Sequence, residues 1–157
     1  MWPMLRAEKD GVFKKSFRIS ADGREITTFD PNWWRAGGTF ELDGHVYTVR
    51  GNMWGGKYGM VDERDTPIAA AAKVGRRQWT VEADGRVYRF RRTSFWTSEQ
   101  ALIQDDREVG RISKTSMWKL GAVAELPGLS LPLQVFVVAV VLTKWQQEQA
   151  AAANSGG

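Results

Sequence analysis

Cysteine is absent from the 157 residues, which excludes disulfides, thiol catalysis and every metal site built on cysteine. Histidine occurs once, at His45, so no multi-histidine metal centre can form and one imidazole is the only one on hand as a base. Proline is scarce, at 5 residues, while 43% of residues are hydrophobic; a disordered or collagen-like chain is excluded. No run of five or more like charges occurs, no Gly-x-Ser-x-Gly elbow for a nucleophilic serine is present, and no Gly-Lys-Ser/Thr follows Gly55-Gly56. An enzyme is therefore not expected, nor is a cofactor. The first residues hold no basic segment leading into an apolar one, so no secretory signal is read and a cytoplasmic location is the expectation.

What is there is aromatic and mildly basic. Trp contributes 8 residues, Phe 7 and Tyr 3, and 22 Lys+Arg face 18 Asp+Glu for a net charge of +4. The length suits one domain with a core of its own. Asp-Gly recurs at Asp22-Gly23, Asp43-Gly44 and Asp84-Gly85, each between alternating segments. Two-residue hairpin turns favour this dipeptide because both central residues need positive φ. Counting outward from each turn predicts the pairs Val81 with Tyr88 and Trp79 with Phe90 on one face, and Thr80 with Arg89 and Gln78 with Arg91 on the other. The same rule pairs Phe40 with Tyr47 and Thr39 with Thr48, and Ile19 with Ile26 and Arg18 with Thr27. Further strands are expected at Trp33–Ala36, Lys57–Val61, Ile68–Val74, Phe95–Ile103, Glu108–Ser113 and Met117–Glu125. About twelve short strands result, spaced as in a barrel or sandwich. The reading divides the chain into a lead-in over 1–12, a barrel over 13–150 and a disordered tail over 151–157.

Leu131–Leu142 breaks this pattern by being apolar nearly all round, and with the Gln/Glu/Ala stretch after Trp145 it predicts a helix over about 131–150. Such a helix needs apolar surroundings on every side. Lipid is one option, as a single-pass anchor through 126–145, but the apolar stretch spans only about 18 Å against a hydrocarbon core of about 30 Å. A partner chain is a second. The interior of the chain's own barrel is the third and favoured one, because about eight strands already fill a barrel with their own side chains and twelve leave a hole. The expected fold is thus mainly β: a closed antiparallel barrel of about twelve strands enclosing a hydrophobic C-terminal helix.

Three stretches, Gly38–Val49, Glu108–Ser113 and Leu131–Trp145, taken with the order of short strands, resemble the tubby C-terminal-like superfamily, which includes the phospholipid scramblases, the LURP-one-related proteins and small bacterial relatives. The resemblance covers roughly residues 10–148. It implies the same barrel around a helix, and for function it implies binding of anionic phospholipid headgroups by basic residues on the barrel exterior.

Arg76, Arg77, Arg89 and Arg91, with Arg92, gather on one expected hairpin. Guanidiniums on adjacent strands can hold a phosphate by bidentate, charge-assisted bonds, so these four arginines are the candidate anion or lipid site. Lys14, Lys15 and Arg18 form a lesser basic group. Neighbouring residues on a strand face opposite ways, so one of Trp33 and Trp34 should be exposed. These two and Trp54 are the exposed aromatic candidates. His45 reads as a rim residue beside Leu42, and Asp62-Glu63-Arg64-Asp65 as a charged turn without calcium-loop spacing. The arginines and the hairpin's rings fall on opposite faces, so a stacking platform for nucleic acid is not expected. The function expected is a non-enzymatic module for anionic lipid or a protein partner, with no small-molecule substrate; the alternatives are a ligand-free interaction domain and the anchored protein.

Overall fold

A computed structural model of the chain describes residues 3–10, 15–32, 37–52, 56–93, 98–116 and 119–155. Among the described residues there are twelve strands and one helix. The strands are β1 (Met4–Lys9), β2 (Phe17–Ala21), β3 (Arg24–Asn32), β4 (Gly37–Leu42), β5 (His45–Asn52) and β6 (Lys57–Val61). They continue with β7 (Pro67–Ala72), β8 (Gln78–Ala83), β9 (Arg86–Arg92), β10 (Gln100–Gln104), β11 (Arg107–Lys114) and β12 (Gly121–Glu125), and the helix is α1 (Leu131–Ser155). Every strand pairs antiparallel with its sequence neighbour, and β1 pairs with β12, so the sheet closes into a barrel.

The hairpin rule holds at two of three turns. Val81 pairs with Tyr88, Trp79 with Phe90, Thr80 with Arg89 and Gln78 with Arg91, and Phe40 pairs with Tyr47 and Thr39 with Thr48. At the first turn the expected pairs are wrong by one residue. Ile19 faces Thr27 and Arg18 faces Thr28, because the register shifts between Ile19 and Ser20 and leaves Ile26 as an extra residue. Bulges of the same kind leave Ile68 extra between β6 and β7 and Val109 extra between β10 and β11. Each adds local twist, which a closing sheet uses to coil.

Two boundaries also differ from expectation. The lead-in is not outside the barrel: β1 lies within it and supplies the strand that closes the wall. The helix continues through the expected tail to Ser155. Trp33–Ala36, counted as a strand from the sequence, lies outside the described residues; the twelve described strands include β1, which the sequence reading did not count. Residues 95–97, 117 and 118 of two other expected strands are likewise outside them.

Alternation carries the core. Each strand sends at least one buried apolar residue inward, among them Leu5, Ile19, Phe29, Phe40, Val49, Met60, Ala71, Val81, Phe90, Leu102, Ile112 and Ala124. They form one cluster with α1, in which no residue from Leu133 to Leu142 is more than 4% exposed. A helix buried on every side over ten successive positions is enclosed by the barrel. The valine-rich sequence would suit a strand by propensity, yet here it is helical. The wall has no free edge to pair with, so the segment must satisfy its own backbone hydrogen bonds. Of its two buried polar side chains, Thr143 donates from Oγ1 to the Ala139 carbonyl at 2.8 Å, while Gln134 donates from Nε2 to the Leu129 carbonyl at 2.8 Å and leaves its Oε1 without a partner.

Leu126–Ser130, part of the anchor considered from sequence, precedes the helix. Among the described residues no helix is long and apolar enough to cross a membrane.

Candidate functional site

The barrel's two ends differ in charge. One end holds the tight turns, with Asp22, Asp43, Asp65, Asp84, Asp105 and Asp106 at positive φ. Aspartate tolerates that conformation better than most residues, so turn chemistry itself makes this end acidic. The helix enters here, after β12. At the other end, where α1 leaves the barrel, the described positions run to cations: Lys9, Lys57, Lys73, Arg76, Arg77, Arg92, Lys114 and Lys144 against Asp10, Glu99 and Glu148. No turn geometry demands lysine or arginine.

Within the acidic end, Asp62 serves its own turn: one carboxylate oxygen accepts from the Arg64 and Thr66 amides at 2.9 Å each. Its pKa is held below the ordinary carboxylate value by the Thr66 amide first. His45 pairs with Leu42 in the register and sits 2.8 Å from a Glu63 carboxylate oxygen, both exposed. Hydrogen bonding to His45 lowers the Glu63 pKa. No cluster of metal-ligating side chains occurs among the described residues.

The arginine wall belongs to the basic half. Arg89 and Arg91 both point outward from β9, roughly 7 Å apart along the strand, beside the uncharged Thr80 and Gln78 of β8. Arg76 and Arg77 lie in the loop entering β8, and the Arg92 amide donates to the Arg77 carbonyl at 2.8 Å, which ties that loop to the end of β9. All four candidate arginines are exposed. They fall into two neighbouring groups: Arg89 is one row deeper in the wall, while Arg91, Arg76 and Arg77 approach the exit end.

Two carboxylates nearby, Glu99 and Glu108, are engaged by Arg111, and the exposed Glu82, two residues beyond Thr80 on the same face of β8, makes no ion pair with Arg89. Arg111 lies one strand beyond Ala101 from Arg91, and its Nε approaches Glu99 at 2.8 Å and Glu108 at 2.6 Å. The Arg111 hydrogen bond is the main cause holding the Glu108 pKa down, with Arg91 a lesser one. Ala101, outward-facing and flanked by Arg91 and Arg111, is fully buried. Among the described residues no carboxylate lies within ion-pair distance of Arg76, Arg77, Arg89 or Arg91.

A recess opens at the exit end between the β7–β8 loop, the end of β9 and α1. It is shallow, with an enclosed volume of about 20 Å³, room for little more than one water molecule. Trp79 and Trp145, both 2% exposed, form its floor. Trp79 Nε1 donates to Gln100 Oε1 at 2.9 Å, and Gln100 Nε2 donates to the Ser98 carbonyl at 3.1 Å. Arg76, Arg92 and Lys144 line it, with Glu148 at its lip. Opposite, Lys114 Nζ stands 5.3 Å from the Trp145 ring centroid, a cation–π contact.

Sequence reasoning placed Arg89 and Arg91 on the outer face and grouped Arg76 and Arg77 with them, but did not find Lys144, Lys114 or Arg111. A signal existed for the first two: connections alternate along the chain between acidic tight turns and basic returns, which places the basic returns at one end. Trp33, Trp34 and Trp54, and Lys14 of the lesser basic group, lie outside the described residues. Compared with known proteins, the chain matches no family model, no curated protein and no solved structure.

Proposed function

We propose that this chain is a tubby-like, non-enzymatic binding module that attaches peripherally to anionic phospholipid headgroups at the cytoplasmic face of a membrane, through Arg76, Arg77, Arg89 and Arg91. One observation carries the reading: four exposed guanidiniums occupy neighbouring positions on the basic half of the barrel without a carboxylate partner among the described residues. The opposite, acidic end is repelled by the same surface, so the molecule has a preferred orientation. Each basic residue near an anionic leaflet contributes about 1 kcal/mol. The resulting attachment is weak, reversible and sensitive to salt.

Co-sedimentation with vesicles tests this. Binding to phosphatidylglycerol-containing vesicles at low salt is expected, with none to phosphatidylcholine alone. Reversing both charges in Arg89→Glu/Arg91→Glu should weaken it by about tenfold or more. Equal sedimentation with neutral and anionic vesicles, or no response to the charge reversal, overturns the reading in favour of a ligand-free interaction domain.

A further inference from the structure

We propose that the outer groove between β3 and β4, at the tight-turn end, is a docking site for an extended segment of a partner protein rich in lysine or arginine. The inference goes beyond the membrane reading and does not rest on it. The wall is closed, but its ladder is short at this seam: β3 and β4 pair only at Asp30–Thr39, Pro31–Gly38 and Asn32–Gly37. Thr28 and Glu41, next in the alternation, are not paired, and the Thr27 hydroxyl donates to the Glu41 carbonyl across the gap instead. A groove of about 550 Å³ follows the seam on the outside, within the usual size of ligand clefts.

The lining sets the chemistry of the occupant. Asp30, Glu41 and Asp43 border the groove, all exposed, and no lysine or arginine does. Among the described residues no cation lies within ion-pair distance of the three; Arg18, opposite Thr28 on β2, is outside the lining. Asp30 faces Thr39 in the register, and Glu41 and Asp43 follow Thr39 at alternate positions, so the carboxylates stand in successive rows roughly 7 Å apart. That spacing is too wide for the three to share one metal ion, and no metal-holding cluster occurs among the described residues. It matches the spacing of alternate side chains on one face of an extended chain. Half-buried Ile26 and exposed Val46 add apolar surface, and Thr28 and Thr39 add hydroxyls for a peptide backbone, so a peptide suits the lining better than a simple polyamine. The position leaves the groove open to a second partner. Round the twelve-strand wall β3 lies six strands from β9 in either direction, so the groove faces away from the side that carries Arg89 and Arg91.

Calorimetric titration of the full chain, without vesicles, tests the site with an end-blocked hexapeptide that alternates lysine and valine. It should bind at low salt, and its counterpart with glutamate in place of lysine should not. A hexapeptide of the same composition with its lysines adjacent should bind about fivefold more weakly. Asp30→Asn/Glu41→Gln should weaken the alternating peptide by about fivefold or more. Asp84→Asn, which removes a charge of the acidic end outside the groove, should not. All three positions are exposed, so these variants keep the fold. No binding of the alternating peptide, equal binding of the adjacent-lysine peptide or of spermidine, no response to Asp30→Asn/Glu41→Gln, or an equal response to Asp84→Asn overturns the proposal. So does a salt-sensitive self-association of the chain that Asp30→Asn/Glu41→Gln abolishes, which assigns the groove to a second copy. Because no membrane is present, failure here leaves the membrane reading standing, and failure to bind vesicles leaves the groove to be decided by the peptides.

Discussion

At the residue scale, the rim where the helix leaves the barrel is held by groups whose ionisation is coupled to folding. Tyr58, on β6, is 4% exposed; burial raises its pKa above the ordinary 10.0, partly offset by a hydrogen bond with Gln147 of α1. A folded pKa above the unfolded one means that neutral Tyr58 stabilises the fold fully below the unfolded value, and that this contribution is lost as pH rises through the folded value. Urea midpoints should therefore fall above pH about 10, and Tyr58→Phe should flatten that alkaline limb. An unchanged limb in the variant would show that Tyr58 is not its source. The acidic turns work in the opposite sense: Asp62 and Glu63, with depressed values, contribute stability that is present near neutrality and is lost as pH falls through their folded values.

At the scale of single elements, β4 shows how closely this wall is fitted. A Cβ on Gly38 would lie 2.2 Å from the Asp30 carbonyl oxygen and 2.8 Å from Phe29 Cζ. Gly38→Ala should therefore cost about 3 kcal/mol by forcing β3 and β4 apart. Gly85→Ala, at a φ of +73° but with nothing within 4 Å, should cost about 1 kcal/mol from backbone strain alone. Equal denaturation midpoints for the two variants would contradict this separation of crowding from strain. The same scale explains what could be read from the chain before its structure. Asp84-Gly85 and Asp43-Gly44 are flanked by strict alternation, so counting from the turn gave the right partners and placed Arg89 and Arg91 outside. At Asp22-Gly23 the extra residue is Ile26, an apolar side chain that counting takes for an inward one, and Ile68 and Val109 hide their bulges the same way. β1 escaped notice because Leu5 and Ala7 are its only buried residues, too faint an alternation to announce a strand. The recess was illegible for a different reason. Arg76, Arg92 and Lys144 lie far apart in the chain, and only barrel closure and the passage of α1 bring them together.

At the scale of the whole molecule, the barrel and the helix each answer the other's deficit. Twelve strands make a wall too wide to fill with its own side chains, and α1 is too apolar to stand in water. Placing one inside the other buries both without a free sheet edge. It also fixes the axial polarity, since the chain must enter through the tight-turn end and leave through the other. The tight turns supply aspartates for conformational reasons, and the cations collect where the helix emerges. Both proposed sites follow from that arrangement, so the seat of the helix is the claim on which the others depend.

Because the chain has no cysteine of its own, a single Val138→Cys substitution gives an unambiguous reporter inside the barrel. In detergent-free buffer its thiol should react with a water-soluble reagent only as fast as the whole protein unfolds, with labelling and global unfolding accelerating together on addition of urea. Labelling at the rate of a free thiol in the native protein, or a need for detergent to keep the chain in solution, would contradict the enclosure of α1.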